Sequence, residues 1–142
     1  MGLHSTTTFR SDHKVSRVAV IAPGATAVGP YAHAVRACDT VYLSGQTPID
    51  GATGRLVEGG FKEQVHQCFR NLEAVLIAAG LGFGDVVKCN VFLTDMGDFS
   101  AMNHVYAQYF AAPYPARTTI GVAALPLGAH VEIEMVAAVP RP

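Results

Sequence analysis

The 142-residue sequence has no tryptophan and few charged residues. Asp, Glu, Lys and Arg together make up 15% of the chain, against about 25% in typical soluble domains. Half of the residues are hydrophobic, so one chain has little charge with which to cover its surface. We therefore expect a homo-oligomer in which identical subunits bury apolar surface against each other. The alternative is a monomer with a polar but uncharged surface.

The sequence also lacks a basic cluster and a long apolar run. Its ten Lys and Arg residues are scattered and the formal net charge is −1, so we expect no nucleic-acid partner. No apolar run reaches the ~18 residues that suggest a membrane span, and residues 1–16 lack the apolar core of a secretion signal. The sequence predicts a cytoplasmic protein without a membrane partner, with a flexible tail over residues 1–16 and one domain over residues 17–142.

Common metal-binding and nucleophile patterns are missing as well. Cys38, Cys68 and Cys89 are odd in number and far apart, which suits neither a disulfide framework nor a zinc ribbon. None of the six His residues pairs with another at metal-ligand spacing. Ser44 lacks the glycine that precedes the nucleophile of a hydrolase elbow. We expect free thiols and no metal.

The hydrophobic pattern predicts three strands, a helix, a strand, a second helix and two strands. The clearest element is the first helix, where apolar residues recur at spacings of three and four. This order predicts an α+β domain with a mixed six-stranded sheet and two helices on one face. The predicted elements are strands over 17–22, 32–37 and 40–46, a loop over 47–60, a helix over 61–79 followed by Gly80, a strand over 85–95, a helix capped by Asp98 and stopped by Pro113 and Pro115, and strands over 117–123 and 130–139.

Two carboxylates project from the same side of the last predicted strand. Glu132 and Glu134 alternate with apolar residues in the segment 131–135, which places them ~7 Å apart on one face. Arg117 and Thr119 alternate in the same way on the preceding strand. If these strands form a hairpin, an Arg and a Glu side chain share one face. The alternative is a solvent-facing ion pair between strands, worth at most about 1 kcal/mol.

Short segments along most of the chain match one known family in the same order. They are GPY at 29–31, AV at 34–35, VYLSGQTP at 41–48, FRNL at 69–72, DVVK at 85–88, VFLTDM at 91–96, DF at 98–99, Asn103 with Tyr106, PARTT at 115–119, LP at 125–126 and VEIE at 131–134. With these segments the sequence resembles the RidA/YjgF reactive-intermediate deaminases over nearly all of residues 29–138.

This resemblance implies a chorismate-mutase-like domain that forms a homotrimer around a central β-barrel-like core. It implies ligand clefts between neighbouring subunits and a small-molecule ligand, an imine, an enamine or a 2-oxo acid. The implied activity is hydrolytic deamination of compounds such as 2-iminopropanoate, 2-iminobutanoate and 2-aminoacrylate to 2-oxo acids and ammonia, without metal or organic cofactor.

The resemblance also implies roles for individual residues. Arg117 would bind the substrate carboxylate through two parallel hydrogen bonds, a geometry that suits guanidinium. Glu132 would hold the attacking water. The residues implied to line the cleft are Tyr31, Ser44, Gly45, Asn103 and the backbone of Thr119.

Two departures from the family pattern and three alternatives bear on this hypothesis. Some family members carry Cys at the position of Thr119, whose implied role is through its backbone, so the proposed chemistry is unaffected. The pair Ala32-His33 stands where Ser-Gln is common, which puts the substrate preference in question. The alternatives are a pathway-specific deaminase of the aminoacrylate or aminomuconate type, a non-catalytic protein that binds or senses small carboxylates, and a nuclease, which the net charge of −1 disfavours.

Overall fold

The computed structural model describes residues 16–23 and 29–142. The predicted flexible tail lies outside these ranges, except for its last residue. Eight strands and two α-helices make up the described part of the chain, together with three short 3-10 helices. In chain order they are β1 (Val18–Val20), β2 (Ala34–Ala37), β3 (Thr40–Gln46), β4 (Ile49–Asp50), β5 (Arg55–Leu56), α1 (Phe61–Ala78), β6 (Val86–Leu93), α2 (Phe99–Tyr106), β7 (Ala116–Gly121) and β8 (Val131–Ala138).

Six of the strands form one sheet in the order β1-β2-β3-β8-β6-β7. The pair β6 and β7 is parallel, and every other neighbouring pair in this sheet is antiparallel. Parallel neighbours need a crossover connection, and α2 lies in the segment that joins β6 to β7. The prediction of an α+β fold with a mixed six-stranded sheet and two helices is confirmed.

The two helices cover one face of the sheet and form the core with it. On α1, the side chains of Val65, Phe69, Leu72 and Leu76 are fully buried, and their spacing of four, three and four residues places them on one stripe. They lie on the same side as alternate residues of β8, which are also buried. The helix ends close to the predicted position, and Gly80 follows it with φ of 75°, the left-handed conformation that glycine adopts at low cost.

The opposite face of the sheet carries several exposed apolar side chains among polar ones. Tyr42 is 50% exposed and Ile120 is 45% exposed, and both lie on this face because the residues beside them in sequence point toward the helices. Asn90 and Glu134 lie on it as well, and Asn90 Nδ2 donates a hydrogen bond to Glu134 Oε1 over 2.9 Å. We refer to this surface as the open face.

The predicted hairpin between the last two strands is wrong. β6 lies between β7 and β8 and pairs with both of them, in parallel with β7 and antiparallel to β8. Sequence alternation describes each strand correctly but does not specify its neighbour, which depends on how the α2 crossover returns to the sheet.

Two local predictions also need correction. Asp98 is the N-cap residue of α2, as predicted, but its side chain makes no capping hydrogen bond. It belongs to a 3-10 helix, Met96–Asp98, in which Asp95 Oδ1 accepts a hydrogen bond from the Gly97 amide. The helix itself ends at Tyr106, well before the two prolines that were predicted to stop it.

The predicted loop over residues 47–60 contains a small hairpin. β4 and β5 pair through two residues each, and the Asp50 side chain accepts a hydrogen bond from the Ala52 amide in the turn. Strands of two residues are too short for a period-two pattern to reveal them.

Neither helix in the described part of the chain combines the length and the apolar character needed to cross a bilayer.

Candidate functional site

Arg117 extends from β7 toward α2 on the helix-covered face of the sheet. Its Nη2 atom donates a hydrogen bond to Asn103 Oδ1 over 2.5 Å. Its Cζ atom lies 4.7 Å from the ring centroid of Tyr106 and 5.6 Å from that of Phe99. Thr119 lies two residues further along the strand on the same face. The arginine half-site consists of these five residues, Phe99, Asn103, Tyr106, Arg117 and Thr119.

The guanidinium of Arg117 has hydrogen-bonding capacity to spare. In the described ranges it makes one side-chain hydrogen bond, to Asn103, and no ion pair with a carboxylate. A guanidinium has five N–H donors arranged as a fork that fits a carboxylate. The half-site therefore has the chemistry to bind a carboxylate ligand.

Glu132 lies on β8 and faces Gly45 of β3. A Cβ atom built on Gly45 would lie 3.0 Å from Glu132 Oε1, so the absence of a side chain at Gly45 makes room for this carboxylate. The register between β3 and β8 shifts between Leu43 and Gln46, which places Ser44 and Gly45 in a bulge. Bulges redirect side chains and backbone groups and are frequent near active sites.

The bulge is fixed to the segment that carries Tyr31. Ser44 Oγ donates a hydrogen bond to the Ala32 carbonyl over 2.6 Å, and the Ser44 amide donates to the His33 carbonyl over 2.8 Å. Tyr31 and Gly45 line a common cleft of about 350 Å³, together with His33. We call Tyr31, Ser44, Gly45 and Glu132 the glutamate half-site.

The carboxyl group of Glu132 is electrostatically perturbed. Burial raises the pKa of Glu132 above its usual value, and the nearby negative charge of Glu134 raises it further. A carboxyl group whose pKa is raised toward neutral pH is better suited to accept and return a proton than an ordinary surface carboxylate. Perturbed groups of this kind are frequent at functional sites.

The two half-sites lie on opposite faces of the same sheet. Arg117 is in register with Cys89 of β6, which is buried under the helices, whereas Glu132 is in register with Phe92. Cys89 and Phe92 are three residues apart on one strand, so their side chains point to opposite faces. The expectation that Arg117 and Glu132 share a face is therefore wrong for a single chain.

No metal site is apparent among the described residues. Nowhere in residues 16–23 and 29–142 do three His, Cys, Asp or Glu side chains form a group that could hold a metal ion. The three cysteines are free, with Cys38 exposed and the other two buried. A second cleft, of about 400 Å³, lies near Gly60 and Asp95 and includes none of the predicted site residues.

Comparison with known proteins identifies the family. The model of the family described as Endoribonuclease L-PSP matches residues 22–139. The chain belongs to this family, which is also known as RidA/YjgF.

Relatives within the RidA/YjgF family have names of different kinds. The 2-iminobutanoate/2-iminopropanoate deaminase of Capra hircus is 48% identical over 87% of this chain and 90% of its own length. The RutC family protein y4sK of Sinorhizobium fredii is 50% identical over 81% and 90% of the two chains. The crystal structure of YyfA from Yersinia pestis, a Rid-family protein of unknown function, superposes with a TM-score of 0.84 at 40% identity and covers 87% of this chain and all of its own.

Residues that sequence reasoning did not place in the site include Phe99 and Tyr106. With Asn103 they occupy positions i, i+4 and i+7 of α2, the spacing that places side chains on one stripe of a helix. This spacing is visible in the sequence, but only the contact with β7 shows that the stripe faces Arg117. His33 is a further such residue. Its Nδ1 accepts a hydrogen bond from Gln46 Nε2 over 3.2 Å, and its Nε2 is buried with no hydrogen-bond partner among the described residues.

Proposed function

We propose that this protein is an imine deaminase whose reaction centre forms between two copies of the chain. One copy supplies the arginine half-site, and a neighbouring copy supplies the glutamate half-site. The substrates are small 2-imino acids of the 2-iminopropanoate and 2-iminobutanoate type and their enamine tautomers, and the products are 2-oxo acids and ammonia. The assembly is a homotrimer whose open faces pack together around a central core.

The observation that carries this proposal is the guanidinium of Arg117, held by Asn103 and two aromatic rings without a carboxylate partner among the described residues. A cation that is oriented by its surroundings and not neutralised is suited to an anionic ligand. The names of several relatives, including the Capra hircus deaminase, describe an activity on 2-imino acids, whose carboxylate such a group would bind.

In the proposed reaction, Arg117 binds the substrate carboxylate and fixes the imine carbon near Glu132 of the adjacent copy. The imine carbon is already electrophilic when its nitrogen is protonated. Glu132 accepts a proton from a bound water as the water oxygen bonds to that carbon, and the resulting carbinolamine receives the proton on nitrogen. Glu132 takes up the hydroxyl proton of this intermediate as the C–N bond breaks, so that ammonia leaves and the C=O bond of the 2-oxo acid forms. General acid–base catalysis and positioning suffice for these steps.

The activity is tested by timing ammonia release while an amino-acid oxidase generates the imine in place. We expect the protein to accelerate ammonia release, and we expect both Arg117→Ala and Glu132→Gln to reduce this acceleration by about a hundredfold or more. Arg36→Ala is a matched control because Arg36 is exposed and pairs with Asp39, away from both half-sites. Full activity in either site variant would contradict the proposal.

The location of the site between two copies has its own test. When inactive Arg117→Ala and Glu132→Gln chains are unfolded together and reassembled in equal amounts, half of the chains supply an intact Arg and half an intact Glu. One interface in four then has both residues, so about a quarter of wild-type activity should return. If Arg117 and Glu132 act within one chain, mixing restores nothing.

The same experiments separate catalysis from binding alone. A protein that only senses small carboxylates needs Arg117 to hold the acid group but has no need of a water-holding Glu132. Binding of 2-oxobutanoate without any acceleration of ammonia release would therefore identify the chain as a carboxylate-binding member of the family.

A further inference from the structure

We infer that the aromatic rings of Tyr106 and Phe99 are positioning residues, which orient the guanidinium of Arg117 so that its free N–H edge meets the substrate carboxylate. This inference deepens the proposed function and rests on it. The rings touch Arg117 and are assigned no contact with the reacting atoms. Their effect on substrate is exerted through the arginine.

Arg117 needs such support because of its position in the fold. It lies on β7, an edge strand of the sheet, and its side chain is partly exposed. A free arginine side chain samples many rotamers, and the loss of this freedom on binding reduces affinity. Contacts that restrict the side chain beforehand remove part of that loss.

Two kinds of contact restrict the guanidinium in different directions. The hydrogen bond to Asn103 acts at the edge of the group and fixes its rotation within its own plane. The rings act on the group through cation–π contact, with Tyr106 at 4.7 Å and Phe99 at 5.6 Å from Cζ. Both distances fall within the ~6 Å over which a ring face attracts a guanidinium.

Tyr106 is itself held rigidly. Its side chain is 5% exposed, and its ring centroid lies 4.7 Å from that of Phe110 and 6.0 Å from that of Phe69. Burial raises the pKa of its hydroxyl, so the phenol stays neutral. A ring that is packed against other rings in the core provides a fixed surface for Arg117.

Phe99 completes the contact from a more open position. It is 40% exposed and lies farther from the guanidinium than Tyr106. Its contribution should therefore be smaller, because cation–π contacts at exposed sites are weaker than those from which water is excluded.

The inference is tested by the affinity of the assembled protein for 2-oxobutanoate, a stable carboxylate, measured by calorimetry. Tyr106→Leu removes the ring, and we expect the Kd of this variant for 2-oxobutanoate to rise roughly tenfold. For Phe99→Leu we expect the Kd to rise about threefold. Tyr106→Phe keeps the ring and should bind like the wild type. Tyr109→Leu is the matched control, because Tyr109 stacks on Phe69 at 4.2 Å in the same aromatic cluster and has no cation–π contact with Arg117.

A double-mutant cycle shows whether the rings act through Arg117. In the Arg117→Ala background, Tyr106→Leu should cause no further loss of 2-oxobutanoate binding. Unchanged affinity in the two leucine variants would overturn the inference, and so would an equal loss in Tyr109→Leu. If Tyr106→Leu does not fold, Phe99→Leu decides the outcome, because an exposed side chain tolerates this change.

Failure of the inference and failure of the proposed function give different results. Wild-type ammonia release together with leucine variants of undiminished affinity would refute the positioning role and leave the deaminase intact. Ring-dependent binding of 2-oxobutanoate without ammonia release would support the positioning role and refute the deaminase. Absence of 2-oxobutanoate binding by the wild type would overturn the positioning role.

Discussion

Glu132 combines partial burial with a neighbouring negative charge, and its pKa is raised for both reasons. When the pKa of a carboxyl group is higher in the folded state than in the unfolded state, the folded protein favours the neutral form. At a pH below the ordinary pKa of a glutamate, the carboxyl is protonated in both the folded and the unfolded protein, and it does not lower the free energy of unfolding. As the pH rises through the folded-state pKa, the group ionises and the folded state loses stability.

Glu132→Gln should therefore stabilise the protein at neutral pH while it removes activity. The thermal midpoint of the variant should exceed that of the wild type near pH 7. The difference should disappear at about pH 3, well below the ordinary pKa of a glutamate, where the wild-type carboxyl is protonated in both states. Melting curves across this range measure the effect. Glu73→Gln, at an exposed position of α1, is the matched control and should leave the thermal midpoint at pH 7 unchanged. A wild type more stable than Glu132→Gln at pH 7 would contradict the prediction.

The individual site residues could be predicted only in part from the sequence. The resemblance selected Arg117, Asn103, Glu132 and Gly45, and the structure places the first two in contact with each other and the last two in contact with each other. The roles of these residues stay predictions. The aromatic surroundings of Arg117 were not predicted, because the register of α2 against β7 depends on packing between distant parts of the chain.

The bulge in β3 is the element that accommodates Glu132. It removes Gly45 from regular pairing with β8, and the missing side chain at Gly45 leaves space for the carboxylate. The strand prediction over residues 40–46 was confirmed, but the bulge was not predicted, because an irregular register leaves no periodic signal.

Gly45→Ala should disturb Glu132 without disturbing the fold. The new Cβ would lie 3.0 to 3.2 Å from three atoms of the Glu132 side chain, which must then shift by a few tenths of an ångström or more. A small misplacement of a catalytic group costs on the order of tenfold to a hundredfold in rate, so we expect a loss of that size in ammonia release with unchanged circular dichroism.

Gly84→Ala is the matched control for this change. A Cβ on Gly84 would meet nothing within 4 Å, its backbone φ does not lie in the left-handed region, and Gly84 does not line the cleft that Gly45 lines. The same substitution should therefore leave ammonia release unchanged there. Equal activity of the Gly45→Ala variant and the wild type would show that Glu132 does not need this space.

The order of the elements was easier to predict than their neighbours. The apolar spacing of α1 is visible in the sequence and predicts which side of the helix is buried. The predicted end of the helix lies within one residue of the observed end. The partners of β7 and β8 follow from the α2 crossover, which no local pattern encodes. The predicted hairpin failed for this reason, and with it the expectation of a common face for Arg117 and Glu132.

The assembly as a whole depends on the open face. The small share of charged residues predicted an oligomer, and the exposed apolar side chains of Tyr42 and Ile120 lie on the side of the sheet away from the helices, together with the half-buried Val136. The trimer stays a prediction. A covered open face would explain why these side chains are apolar.

Tyr42→Lys should break the assembly by placing a charge on the open face. Burial of an unpaired ammonium group costs several kcal/mol, so we expect sedimentation at the mass of a monomer, retained secondary structure and loss of ammonia release. Ile77→Lys is the control, because Ile77 is 65% exposed on the outer side of α1, and this variant should stay assembled. An active, fully assembled Tyr42→Lys protein would contradict the proposed packing.

The placement of Arg117 and Glu132 on opposite faces of one sheet has a genetic consequence under the proposed arrangement. After a gene duplication, one gene copy could lose the arginine codon and the other the glutamate codon. The two gene products together would still assemble into a working protein. Each copy would then be indispensable although neither is active alone. With one intact allele, an allele that lacks either residue would leave about half of the interfaces complete, because each interface takes its arginine from one subunit and its glutamate from the other.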